Sequence, residues 1–141
     1  MDEEIDVGFL IYVTTLNNPY VWLDYFAIYK EFQNKQYGTE AIKAFKTIFK
    51  EYDGIYGEIE KVGLGETEEE NKIREKRLSF WKNLGFELLN IDMNLFGVIY
   101  SSCVLKLNAV KRESSEIVKY GFSLYETVMG KAEIEKNCFI I

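Results

Sequence analysis

Histidine is absent from this 141-residue chain, and proline occurs once. The first absence removes the side chain that most often acts as a general base near neutral pH and as a metal ligand. Proton chemistry must then fall to carboxylates, tyrosines or the backbone. Cysteine is scarce too: Cys103 and Cys138 provide neither a disulfide framework nor the spacing of a metal site. No metal is expected, and both thiols are expected to be reduced in a cytoplasm. Basic residues are the minority, with 17 Lys and Arg against 23 Asp and Glu, a net charge of −6 and a pI near 4.8. That balance disfavours a nucleic-acid partner, whose affinity comes largely from clustered Lys and Arg that release counterions. No apolar run has the length of a membrane span, and Met1-Asp2-Glu3-Glu4 is acidic where a leader would be basic. Neither a membrane partner nor a targeting signal is expected.

What the chain does have is 48% hydrophobic residues, including ten Tyr and ten Phe. This is enough for one ordered, strand-rich domain over residues 1–141. Residues 7–15 alternate, with Val7, Phe9, Ile11 and Val13 on one side, and Asn17-Asn18-Pro19 is a turn before residues 20–30 extend again. An antiparallel hairpin follows from that pattern. Over residues 38–52, Ala41, Ile42, Phe45, Ile48, Phe49 and Tyr52 recur at three- and four-residue spacing, which predicts a helix ended by Asp53-Gly54. The run 55–60 is then a strand reached by a helical crossover, hence parallel to the strand before the helix.

Thr67 and Glu70 have the spacing of a capping box, and the helix it opens is expected to bury Ile73, the stem of Arg77, Phe80, Trp81 and Leu84 before a left-handed cap at Gly85. Strands over 86–95 and 98–107 form a second hairpin, with Leu89, Ile91, Met93 and Leu95 on one face. Ser114 or Ser115 caps a last helix carrying Ile117, Val118, Gly121, Leu124, Tyr125 and Val128, and residues 137–141 are β-prone.

The most informative stretch joins the apolar run Tyr25, Phe26, Ala27, Ile28, Tyr29 to Gln33-Asn34-Lys35-Gln36-Tyr37-Gly38-Thr39 and then directly to a helix. A strand-loop-helix junction with glycine at the helix start leaves unpaired N–H groups pointing outward, and the helix dipole adds positive charge where they converge. The junction is an anion cradle. It resembles the Q/R-x-x-G-x-G/A segment of the GNAT superfamily of acyl-CoA N-acyltransferases, and Phe80-Trp81-Lys82-Asn83-Leu84-Gly85-Phe86 resembles that family's F-Y-x-x-L-G-F. Two departures stand out. Gln36 occupies a position where the family carries glycine, and Trp81 one where it frequently carries tyrosine.

The resemblance covers residues 7–107 and implies an α/β fold with a mixed, mostly antiparallel sheet around a central βαβ unit. The family's usual N-terminal strand-helix-helix-strand is missing, and residues 108–141 add a helix and a short strand. The chain is a shortened variant, or a partner chain supplies the missing surface, or the C-terminal helix and tail fill it; the last two together, in a homodimer, are favoured. By the same resemblance the protein moves an acetyl group from acetyl-CoA to a primary amine of a small molecule or peptide. The alternatives are a non-catalytic acyl-CoA-binding or sensing module and a pure interaction protein.

For the site, the resemblance implies CoA phosphates on Gln33, Asn34, Lys35, Gln36, Tyr37, Gly38 and Thr39, pantetheine along Ala27 and Ile28, and the backbone N–H of Ile28 facing the thioester carbonyl. Arg74 is open to the nucleotide phosphates or to the acidic run 68–70, and Arg77 to packing at the core edge. Without histidine, the candidate bases are Asp24, Glu58 and Glu60, with Glu58 preferred; the competing assignment for each is a solvated strand carboxylate. Trp81 is expected in the core. Tyr120 or Tyr125 then protonates the leaving thiolate, or it leaves unassisted.

Overall fold

Alternating apolar residues and turn chemistry build a six-stranded sheet in the computed structural model, which describes residues 4–141; Met1 to Glu3, the first part of the acidic start, lie outside the described residues. Strand β1 (Gly8–Val13) pairs antiparallel with β2 (Tyr20–Ile28), from Gly8 opposite Ile28 to Val13 opposite Trp22. A 3-10 turn (Lys30–Phe32) leads into helix α1 (Tyr37–Ile48), and β3 (Gly54–Glu60) returns parallel to β2. Helix α2 (Glu68–Asn83) precedes the hairpin β4 (Glu87–Leu95) and β5 (Val98–Lys106). Helices α3 (Ser114–Met129) and α4 (Lys131–Asn137) end in β6 (Cys138–Ile140). The sheet order is β1-β2-β3-β5-β4-β6, with β2 and β3 the parallel pair.

Because side chains alternate across a strand, each central strand feeds two cores. Val21, Leu23, Ile55, Ile59 and Leu105 pack with Ile42 and Phe45 of α1, and the partly buried Leu78 and Trp81 of α2 close that side. Tyr20, Trp22, Tyr56, Met93 and Val104 pack with Ile117, Val118, Leu124 and Tyr125 of α3 and Ile134 of α4. The C-terminal helix thus covers the face that α1 and α2 leave open. Its close approach depends on Gly121: a Cβ there would lie 2.3 Å from the Tyr56 ring.

Several local expectations are corrected. Helix α1 stops at Ile48, four residues short of Tyr52, and leaves Ile48 71% exposed. Phe9 and Ile11 do share one face of β1, but that face is exposed there: Phe9 stacks on Tyr25, while Leu10 and Tyr12 on the other face pack toward Phe45 and Phe49. Helix α2 buries none of its residues fully; charged residues run around most of its surface, so it rests on the sheet through the half-buried Phe80 and Trp81 while Ile73 faces solvent. The N-cap of α3 is Glu113 instead of a serine, and Val128 is exposed. The capping box does form, since Thr67 Oγ1 accepts the Glu70 N–H at 3.1 Å, although Glu70 reaches back to the N–H of Glu66 and not to that of Thr67.

Candidate active site

Strands β2 and β3 are paired only from Tyr20–Gly54 to Trp22–Tyr56, although both run on for several residues. The divergence starts at a bulge: Tyr12 pairs with Leu23 and Ile11 with Tyr25, which leaves Asp24 without an opposite residue. Beyond it, the Tyr29 N–H donates to the Val7 carbonyl at 2.7 Å. Antiparallel alternation then turns the N–H groups of Tyr29, Ala27 and Tyr25 toward β1 and those of Ile28 and Phe26 into the opening between β2 and β3. Unpaired donors therefore line one wall of a wedge.

The wedge holds a cleft of about 610 Å³ lined by Asp24, Tyr25, Phe26, Glu58, Arg74 and Tyr100 among others. A second cleft of about 640 Å³ runs past Gln33, Gln36, Gly38, Thr39, Lys76 and Phe80. Phe26, Arg77 and Trp81 border both, so the two form one trough from the wedge to the N-terminus of α1. Trp81 stands at the junction, edge-on to Phe26 at 5.5 Å and to Phe86 at 5.2 Å. It is half-buried in the trough wall rather than deep in the core.

At the α1 end, the Glu40 N–H closes the first helical hydrogen bond, to the Gln36 carbonyl at 3.1 Å. The N–H groups of Tyr37, Gly38 and Thr39 thus have no carbonyl partner in the helix, and the Gln36 side chain does not cap them. Asn34 and Gln36 take the left-handed conformation, with φ of 63° and 66°. This is the backbone that glycine favours, and holding glutamine there costs about 1 kcal/mol. Gln33 turns inward: its Nε2 donates to the Ile28 carbonyl at 2.9 Å and ties the loop to the end of β2. Ala27 and Lys35 are not in the lining of either cleft. Lys76, by contrast, lines the cradle one helical turn before Phe80, a position that sequence reasoning missed; the i, i+4 spacing of a cation and an aromatic was its only signal.

The candidate carboxylates separate by environment. Glu60 is taken by arginine, with Arg74 Nη2 at 2.9 Å and Arg77 Nη1 at 3.4 Å. Arg74 also donates to the Lys61 carbonyl at 2.9 Å, so it is committed to the floor of the cleft and not to the acidic run 68–70. Asp24 has no ion-pair partner among the described residues, and partial burial raises its pKa from the ordinary value. Glu58 lies on the same side of β3 as Tyr56. Trp22 Nε1 donates to its two oxygens at 3.1 and 3.2 Å, and the Tyr125 hydroxyl donates to Oε2 at 2.8 Å. Burial pushes its pKa up to about 7, against the pull of those two donors and with a smaller upward push from Asp24. Tyr120 instead packs on Tyr20 and Arg112, so of the two expected tyrosines only Tyr125 meets a candidate base.

A stability consequence follows. The folded chain holds the Glu58 proton up to about pH 7 and the unfolded chain only to about 4.5, so protons are released on unfolding between those values and stability falls as pH rises through that window. The loss is as much as about 3 kcal/mol and is complete above the folded pKa. In urea unfolding of wild type and Glu58→Gln at several pH values, the wild-type midpoint is expected to drop relative to the variant across the window. Parallel curves would show that Glu58 titrates normally.

No protein-family model and no curated protein matches this sequence. Solved structures do match it. A putative acetyltransferase of the GNAT family from Bacteroides thetaiotaomicron aligns with TM-score 0.65 at 18% identity, covering 88% of this chain and 66% of that one. An aminoglycoside 6'-N-acetyltransferase complexed with coenzyme A aligns with TM-score 0.58 at 15% identity, covering 75% and 69%. A nourseothricin acetyltransferase aligns with TM-score 0.56 at 13% identity, covering 72% and 58%. The matched part thus amounts to between 58% and 69% of these structures' own length. At such identities the likeness shows the fold alone, and that fold is the one shared by the GNAT acetyltransferases.

Proposed function

Starting from this fold and its trough, we propose that the protein is an N-acetyltransferase carrying an acetyl group from acetyl-CoA to a primary amine of a small molecule or peptide. One observation carries the proposal: the wedge between β2 and β3 is lined by free N–H groups and ends at Glu58, a carboxylate with a pKa of about 7. Bound acetyl-CoA supplies the activated acyl carbon. The N–H groups of Tyr37, Gly38 and Thr39 hold its diphosphate, with charge from Lys76 on the facing wall. The Ile28 N–H lies along the pantetheine path. Phe26, which lines the same cleft as Glu58, offers the N–H best placed for the thioester carbonyl as negative charge grows there.

Glu58 takes the proton of the incoming ammonium, which requires its ionised form; turnover should therefore rise through about pH 7. A thiol with a pKa of about 8.5 leaves without an acid. We place the protein in the cytoplasm as a homodimer in which a second copy covers the β1 edge, which carries no charged residue and exposes Phe9, Ile11 and Tyr12. No helix among the described residues is long and apolar enough to cross a membrane.

A second assignment, a non-catalytic acyl-CoA-binding module, is favoured by Trp81, whose indole cannot protonate a thiolate, and by the Gln36 side chain beside the cradle. The deciding assay is release of CoA thiol from acetyl-CoA across a panel of amines. Amine-dependent release supports the enzyme. Saturable acetyl-CoA binding with no release for any amine supports the module.

A further inference from the structure

Helix α3 packs on the sheet face opposite α1 and α2, and its Tyr125 meets a residue that lines the wedge, Glu58. Gly121 removes the side chain that would strike the Tyr56 ring, and Tyr125, one helical turn later, drops its ring beside Trp22 at a centroid distance of 4.6 Å. Its hydroxyl donates to Glu58 Oε2 at 2.8 Å and lies 3.0 Å from the Tyr56 hydroxyl, whose single proton faces both that oxygen and Met93 Sδ at 3.3 Å. The chain of hydroxyls ends on a buried thioether. No path for a proton to leave runs that way, so the arrangement holds the carboxylate and does not drain it.

We propose that Tyr125 is a positioning residue for Glu58, fixing the carboxylate at the closed end of the wedge and stabilising its ionised form, so that the C-terminal helix is a working part of the site and not merely its cover. The proposal rests on the acetyl-transfer assignment for its catalytic meaning, but the Glu58–Tyr125 coupling can be measured without it. The other titratable or charged groups facing Glu58 are Asp24 on β2, Tyr56 and Glu60 on β3, and Tyr100 and Cys103 on β5, with Glu60 neutralised by Arg74 and Arg77. None of these is a cation free to hold Glu58 ionised. Two neutral donors, Trp22 and Tyr125, do that work, and removing one should show directly.

The test is a carbon-detected NMR titration of the side-chain carboxyls in wild type, Tyr125→Phe and Tyr56→Phe. Loss of one hydrogen bond to the ionised form is expected to raise the Glu58 pKa by about one unit in Tyr125→Phe. Tyr56→Phe strips a buried hydroxyl that does not touch Glu58, and it should leave that titration in place. An unmoved Glu58 in a folded Tyr125→Phe protein overturns the proposal, as does an equal shift in both variants. The pH–rate profile supplies the second readout: its acid limb should move up with the NMR value, lowering turnover at pH 7 about fivefold with the KM for acetyl-CoA unchanged. A limb that stays put while Glu58 moves removes the pair from catalysis. Should wild type turn over no amine at all, acetyl transfer fails, while the titration still decides the coupling.

Discussion

Glu58→Gln is expected to lower amine-dependent acetyl transfer by about a hundredfold or more near pH 8, while acetyl-CoA affinity stays within about twofold. The argument is one of elimination followed by geometry. The chain has no histidine, Glu60 is held by Arg74 and Arg77, and Asp24 is the exposed residue of a bulge. Glu58 alone combines placement in the wedge with a pKa of about 7, where a base is strong enough to accept an ammonium proton yet is ionised under working conditions. Glutamine keeps the size of the side chain and still accepts from Trp22 and Tyr125, so the variant should fold. Above the folded pKa it should be the more stable protein, because no charge is buried. A variant that retains wild-type turnover would show that water or Asp24 handles the proton. One that loses acetyl-CoA affinity as well would mean that Glu58 shapes the donor site and is not the base.

Gly38→Trp is expected to weaken CoA binding by at least about a hundredfold without unfolding the chain. A Cβ at Gly38 would sit 3.2 Å from Phe80 Cζ and 3.7 Å from a Phe26 ring atom, so the substituent grows into the trough where the free N–H groups of α1 converge. Losing two charge-assisted hydrogen bonds to a diphosphate accounts for an effect of that order. Phe80 is half-buried, and its ring end shifts at little cost, so the melting temperature should drop only modestly. Calorimetry with CoA alone reads the result. Unchanged affinity would move the diphosphate away from α1.

Periodicity made the elements legible, and chain order made the parallel β2–β3 pair legible, because both are written in nearest neighbours. The two strand hairpins and the buried stripe Ile117, Val118, Gly121, Leu124, Tyr125 emerged that way. Misjudged positions share a cause. Ile73 was expected inside because apolar residues were given to the core, yet α2 meets the sheet along a narrow line and leaves Ile73 49% exposed. The bulge at Asp24 depends on pairing register across two strands, which no single strand encodes. Tyr125 and Glu58 are 67 residues apart, and their meeting depends on how deeply α3 seats at Gly121. Arg74 had two local explanations; the structure supplied a third partner, Glu60 on another element.

Backbone amides carry no signature of their own in a sequence: the Ile28 donor rested on the resemblance alone, and the Phe26 donor became visible only with the register in hand. The residues picked for the cradle nonetheless gather at one end of one trough, with Lys35 and Ala27 outside its lining. Register also explains the Ala27 result, since its amide is turned to β1.

The measurement that bears most directly on this account is a crystal structure grown with saturating CoA. Diphosphate oxygens within hydrogen-bond distance of the Tyr37, Gly38 and Thr39 amides, with the pantetheine chain running between β2 and β3 toward Glu58, are the predicted result. A trough without CoA, crossed by the Gln36 side chain, would contradict it.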